Sequence, residues 1–314
     1  MAKPIYIHAA AALGPHGDVM RAERRALHGD PPPLELKQRV KELVGVPLRQ
    51  ASHLVELAAI GSQLCLKRLG VAAPENTAVY VGTGLAEVRK NEAVFSQVMP
   101  PGPGMASPFD FINAANNMAA FYVAKLGNFR ARNLTVSQED FSFEWALQLA
   151  ATDLRNGDYR QALVGGVDEN SLPRANHLRR IALRDDQPMG EGSGWLLLSV
   201  AAEHACGELI EVKCLAPATP FVSTFCTMLP IWRQAQESIT LLPGLRMETA
   251  EIENLLQAAP ELQIQNYLAW CGGFHSAAAC GMAALFDTPV EPGLFIHVNR
   301  DSSGRHMFCA LRVF

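Results

Sequence analysis

The sequence predicts an α/β protein with a layered, mostly parallel sheet. Short runs rich in β-branched and aromatic residues alternate with longer runs whose apolar residues recur at helical spacing. The run Gly194 to Ala201 (GWLLLSVA) is apolar throughout, as expected of a strand covered on both faces. Gly157 closes the helical stretch before it in the manner of a C-terminal glycine cap.

In order along the chain, residues 4–10 read as a first strand, and a Pro-rich loop at 30–34 leads to a helix over 51–69. Residues 77–82 (TAVYVG) form a buried strand ending in the turn Gly82-Thr83-Gly84. The segment MPPGPGMASPFD breaks the chain. Helix is then expected over 111–126, strand over 133–137, helix over 141–156, and strand over 161–165 and 194–201. After Cys206-Gly207 the alternation restarts, with strand over 209–216, helix over 230–240 and a short strand over 264–268. A small-residue helix over 276–286 and strands over 294–299 and 307–313 close the chain. The restart divides the chain into residues 1–205 and a shorter second half, 206–314.

Composition narrows the function classes. With 314 residues, 49% hydrophobic and 18% charged, the chain can bury a large core. A net charge of -4 and no basic stripe argue against nucleic-acid binding. No run approaches the roughly 18 to 20 apolar residues of a membrane span, and the N-terminus reads as a strand rather than a signal peptide. Seven cysteines without a CxxC pair fit a reducing, cytoplasmic setting better than disulfides or a zinc site. No metal site is expected.

The segment 134–168 carries a distinctive order of landmarks. Val136-Ser137 ends a strand, a helix follows, Asn156-Gly157-Asp158 turns, and Gly165-Gly166-Val167-Asp168 closes a strand. Val79 to Gly84, Ser107-Pro108-Phe109 with Asn113 and Asn116, Gly190-Glu191-Gly192-Ser193-Gly194, and Phe274-His275-Ser276-Ala277-Ala278-Ala279-Cys280-Gly281 add to it. In this order they resemble the β-ketoacyl synthases. The resemblance implies a thiolase-like layered αβαβα fold of two pseudo-repeat halves, here with a shortened C-terminal half.

The resemblance places Asp140 where the family has its nucleophilic cysteine and His275 at its second catalytic histidine. The first histidine and its H-G-T-G-T segment have no counterpart after residues 264–268. Trp270 or a close neighbour replaces the family's lysine, and Asp301-Ser302-Ser303-Gly304 stands for its G-F-G-G loop. Condensation needs a thiolate at a helix N-terminus, whose dipole lowers the thiol pKa. It also needs two histidines to stabilise the enolate left by decarboxylation. An aspartate cannot hold a thioester. It does suit a helix start, so Asp140 is expected to be a capping carboxylate held by backbone N–H groups of the following turn. Two other cysteines bear on the reading. Cys226 lies in Val222-Ser223-Thr224-Phe225-Cys226, locally closer to the family's V-S-T-x-C, but without the later landmarks. Cys271 sits four residues before His275 and is a candidate Cys/His pair.

The resemblance implies a non-condensing, chain-length-factor-like partner of an active ketosynthase in type II polyketide or fatty-acid-like biosynthesis. The narrower match is the small ketosynthase-like partner of aryl polyene clusters. Heterodimer or homodimer would form through the strand at 133–137 and the helix at 111–126. No cofactor is expected beyond phosphopantetheine-linked acyl groups brought by an acyl carrier protein. The alternative is a thiolase-fold enzyme of altered acyl chemistry, hydrolysis or decarboxylation, using Asp140 and His275.

Overall fold

The computed structural model describes residues 3–19, 24–48, 51–102, 104–170, 173–181, 183–184, 187–234, 236–286 and 291–314. In chain order, β1 (Ile5–Gly14) and β2 (Gly17–Asp18) precede α1 (Lys37–Leu43), α2 (His53–Leu69), β3 (Ala78–Gly82), α3 (Val88–Val98), α4 (Pro108–Asn113) and α5 (Met118–Leu126). Then come β4 (Asn133–Val136), α6 (Ser142–Asn156), β5 (Gln161–Asp168), α7 (Arg174–Ile181) and β6 (Gly192–Ser199). The pattern restarts with β7 (Gly207–Leu215), α8 (Phe221–Trp232), β8 (Ile239–Pro243), α9 (Thr249–Ala258), β9 (Gln263–Ile264) and α10 (Leu268–Cys271). It ends with α11 (Ala277–Ala283), β10 (Gly293–Arg300) and β11 (His306–Val313).

The strands join in the order β4-β3-β5-β6-β1-β7-β11-β10-β8-β9. Read from its centre, this order is the same in both directions. β3 lies parallel between β4 and β5, as β8 does between β9 and β10. The sheet is mixed rather than mostly parallel, because β1, β6, β7 and β11 pair antiparallel with their neighbours. The five-residue connection between β10 and β11, residues 301–305, is far too short for a parallel crossover.

Side-chain alternation along the strands builds the layers. Ala78, Tyr80, Leu196 and Leu198 join a core that holds α6 and α11 together with Phe295, Met307, Cys309 and Leu311 from the second half. Val79, Val81, Trp195 and Leu197 face the other way, onto α2 and α5. Ile239, Leu241, Ile296 and Phe308 pack under α8 and α9. The result is the expected αβαβα sandwich, with α6 and α11 as its middle layer.

Several elements differ from the sequence reading. The helix expected over 111–126 is two, α4 and α5, parted at Asn116-Asn117. The helix expected over 230–240 lies earlier, as α8, and Pro230 stands inside its last turn rather than at its start. Residues 239–243 form β8, whose first two residues fall in the helix expected over 230–240. The strand expected over 264–268 stops at Ile264, and Leu268 begins a helical turn. Pro103, in the Pro/Gly-rich break, and Ala235 lie outside the described residues.

Two glycines let the middle helices sit on the sheet. A Cβ on Gly82 would lie 2.5 Å from backbone atoms of Ser142 and Phe143 at the start of α6. One on Gly194 would lie 2.1 Å from the Ala279 backbone in α11. Backbone cannot yield as a side-chain tip can. Gly82→Ala and Gly194→Ala should each lower stability by about 2–3 kcal/mol, seen as a lower urea midpoint at unchanged slope.

Candidate functional site

The site lies where the amino ends of α6 and α11 approach each other inside the middle layer. Asp168, at the end of β5, ties this region together. Its carboxylate accepts Thr83 Oγ1 at 2.9 Å, the N–H groups of Gly84 (2.9 Å) and Leu85 (3.2 Å), and the N–H of Ser276 at 2.9 Å. One buried side chain thus fastens the loop after β3 to the start of α11.

Asp140 stands in the 3-10 turn Glu139–Phe141 that leads into α6. Glu139 takes a left-handed φ of +48°, unusual for a residue with a Cβ. Ser142 closes this turn, its Oγ accepting the Gln138 N–H and donating to the Glu139 carbonyl. Asp140 does not cap α6. Its Oδ1 accepts Arg246 Nε at 2.5 Å, and its Oδ2 accepts the Ser302 N–H at 3.0 Å. Both partners come from the second half of the chain, so the expectation of a local cap is corrected. Asp140 is a buried joint between the halves, with 6% of its side chain exposed. Arg246 also donates to the Arg180 carbonyl.

Behind Asp140 lies a polar network absent from the sequence reading. Asn299 Nδ2 donates to the Asp140 carbonyl (3.2 Å) and to Glu144 Oε1 (3.0 Å). His297 is fully buried, with Nδ1 3.0 Å from the Leu242 carbonyl and Nε2 3.1 Å from Glu144 Oε1. A carbonyl only accepts, so Nδ1 carries a hydrogen. The available signals were a glutamate on the apolar face of the 141–156 helix and a histidine inside the run LFIHV. Arg246 was hidden because β8, which places it, was not recognised.

His275 is buried, and neither ring nitrogen has a hydrogen-bond partner among the described residues. Burial pushes its pKa below the usual histidine value, against the pull of the Asp168, Asp140 and Glu139 charges. Gly84 allows this packing, since a Cβ there would lie 2.2 Å from the His275 Cβ. Asp140 and His275 therefore share one region without bonding to each other.

The two cysteine candidates fall elsewhere. Cys226 is half-buried on α8, against the core under α8 and α9. Cys271 is buried in α10, its thiol pushed well up by burial and donating to the Gly272 carbonyl. It makes no Cys/His pair with His275. The loop 301–304 is closed on itself, with Asp301 accepting the N–H groups of Ser303 and Arg305 and the Ser303 hydroxyl. Trp270 is buried with Arg24 stacked 5.8 Å above its ring.

A cavity of about 380 Å³ opens beside the site, lined by Arg246, Ser302, Arg184, Glu248 and Arg300 among others. Asp140 does not line it; the two groups that bind its carboxylate do. The Asp140 carboxylate is held by Arg246 and Ser302, while neither ring nitrogen of His275 has a hydrogen-bond partner among the described residues.

Residues 41–181 match the model of the β-ketoacyl synthase N-terminal domain. A comparison with the sequences of curated proteins gave no match. Among solved structures, the chain is similar to the ishigamide ketosynthase/chain length factor (TM-score 0.79, 19% identity, 99% of each chain covered). It is also similar to AntDE:AntF, a type II polyketide acyl carrier protein in complex with its hexaketide-bound ketosynthase (TM-score 0.78, 15% identity, 100% of each chain). A third match is a β-ketoacyl synthase from Burkholderia phymatum STM815 (TM-score 0.69, 16% identity, 99% of this chain and 100% of that one). The match over residues 41–181 and the likeness of the whole chain to these structures show a thiolase-like ketosynthase fold.

Breaking a buried ion pair from one side leaves a charge without its partner. Asp140→Asn should therefore lower stability by about 3 kcal/mol, well beyond the loss of under about 1 kcal/mol expected for a helix cap. A double-mutant cycle with Arg246→Gln should give a coupling of at least about 1 kcal/mol by urea unfolding.

Proposed function

We propose that this chain is a non-condensing partner subunit, chain-length-factor-like, of an active ketosynthase in type II polyketide or fatty-acid-like biosynthesis. The observation that carries the reading is the ion pair of Asp140 with Arg246 at the nucleophile position. A side chain held from both carboxylate oxygens is unavailable for acyl transfer, and an acyl-carboxylate anhydride would be labile to water. Aryl polyene synthesis is the narrower setting we assign. Acyl groups would reach the complex on an acyl carrier protein.

The surface suits such a role. β4 ends the sheet and pairs only with β3. In the connection that follows β3, α3, α4 and the segment between them expose Phe95, Met99, Met105, Phe109, Phe111 and Ile112. Monomeric proteins rarely leave so many large apolar side chains together in water. We assign the β4 edge and this apolar face to the ketosynthase, through an obligate interface of roughly 2,000 Å² or more.

One observation favours the alternative, acyl hydrolysis or decarboxylation by Asp140 and His275: the unpartnered His275 ring. Two experiments separate the readings. Incubation of the isolated chain with acyl carrier protein thioesters should give no acyl adduct by intact mass. An adduct on Cys226 or Cys271 would overturn the assignment. In the reconstituted pair, Asp140→Asn combined with Arg246→Gln should leave product formation within about twofold, since neither residue does chemistry; loss of product with assembly intact would establish the enzyme reading. Leu134→Lys or Phe111→Asp should abolish association by light scattering. A well-behaved monomer for the unmodified chain, alone and with the ketosynthase, would refute the interface, and a homodimer alone would identify a second copy as its occupant.

A further inference from the structure

The amino end of α3 is fastened by buried charges separate from the Asp140 site. Glu87 stands at the N-cap position of α3 and is fully buried. Its Oε1 accepts the Ser52 hydroxyl at 2.7 Å, and the same oxygen of Ser52 caps α2 by accepting the Val55 N–H. Its Oε2 has no hydrogen-bond partner among the described residues. Glu169, just past β5, is 3% exposed, and neither of its carboxyl oxygens has such a partner. The nearest cation is Arg89 of α3, whose Nε lies 3.8 Å away and whose Nη2 donates to the Asn170 carbonyl.

Glu191 beside them is the contrast. It accepts the N–H groups of Leu34 (2.6 Å) and Asn170 (3.0 Å) and His53 Nε2 at 2.9 Å. A buried carboxylate so well supplied is stable as an anion. A buried carboxylate without donors is stable as the neutral acid.

The segment they hold is lightly attached. α3 contributes no buried residue. Ala86, immediately before Glu87, takes a left-handed φ of +51°, a strained conformation for a residue with a Cβ. The remaining ties of α3 run mostly to α4 and the loops flanking it: Lys90 to Asp110 at 3.0 Å, Gln97 to Asp110 at 2.9 Å, and the Ser107 N–H to Gln97 at 2.6 Å. The pair therefore forms an arm whose amino end depends on the buried glutamates.

We infer that Glu87 and Glu169 are a proton-controlled latch: protonated, they hold the arm formed by α3 and α4 against the body of the protein, and ionised, they release it. Burial pushes both carboxyls up to about 7. Around Glu169, Arg89 and His53 pull the other way while Glu191 and Asp168 reinforce the shift. Around Glu87, Ser52 and Lys90 oppose it and Glu169 reinforces it. His53 titrates in the same sense. Burial opposes its charging, but Glu191 and Glu169 raise it above its ordinary value, so it too loses positive charge as pH rises.

The closed arm keeps protons that an open arm would release. Closure is therefore favoured in full below the ordinary carboxylate range, and the advantage is lost as pH rises through about 7. Between pH 6 and 8, each glutamate should multiply the opening equilibrium by up to about tenfold. The latch is a property of the isolated chain and does not rest on the partner assignment.

Hydrogen exchange with mass-spectrometric readout tests it on the full chain. Protection factors, corrected for the intrinsic pH dependence of exchange, should fall for α3 between pH 6 and 8 and stay level for α6. In the double variant Glu87→Gln, Glu169→Gln, which mimics the neutral acids, α3 should stay protected at both pH values. Glu169→Gln alone should remove the share of one group and serves if the double variant folds poorly. Protection of α3 that does not change with pH in the natural chain overturns the inference, as does a fall that is equally steep in the variants.

Discussion

The amino ends of α6 and α11 must be satisfied inside a layer that water does not reach. A helix start presents free N–H groups and a partial positive charge, and leaving them bare in a core is costly. The fold answers by bringing polar side chains from strand ends across the layer. Asp168, from β5, binds the start of α11 and the loop after β3. Asn299, from β10, instead fixes the turn before α6 by donating to the Asp140 carbonyl, and its Oδ1 accepts the Arg300 N–H. These residues occupy matching places in the mirrored strand order, so each half of the sheet supports the helix of the other. The glycines at 82 and 194 bring the helices close enough for this exchange.

That constraint bears on Asp140, at the position where the resemblance places the family's cysteine. A helix start facing another helix start tolerates an anion, and in this chain the anion is given its own cation and a backbone N–H. The result is a joint between the halves. Glu144 and His297 extend it inward, into space lined otherwise by apolar side chains. Buried pairs of this kind contribute less net stability than their geometry suggests, because desolvation offsets the attraction. What they enforce is geometry, since displacing Arg246 or Ser302 would strand the Asp140 carboxylate.

Much of the fold was legible because its elements announce themselves locally. The run GWLLLSVA and the strand-turn around Gly82 read correctly, and Gly157 marks a true left-handed C-terminal cap of α6. Misreadings occurred where local chemistry points the wrong way. Pro230 looks like a helix start but sits at a helix end, and the helix read from it runs over the first residues of β8. At the site, Asp140 and His275 were singled out from the order of landmarks around them. The groups that hold Asp140 were not, because Arg246, Asn299 and Ser302 lie more than a hundred residues from it and no spacing rule links them. The pairing of Asp140 with Arg246 exists only through the mirrored sheet.

The departure from mirror symmetry is informative about assembly. The β3-to-β4 connection, residues 83–132, carries α3, α4 and α5, whereas its counterpart between β8 and β9, residues 244–262, carries α9 alone. In the second half that connection is covered, with Leu255 buried in the core under α8 and α9. In the first half it buries nothing along α3 and exposes Phe95, Phe109 and Phe111. This exposed apolar face is the surface proposed above for the partner subunit. The β9 edge, two exposed residues long, offers little to pair with. The same asymmetry places Glu87 and Glu169 at the root of the arm, where the extra length joins the body and where a few buried protons have the most leverage over its position.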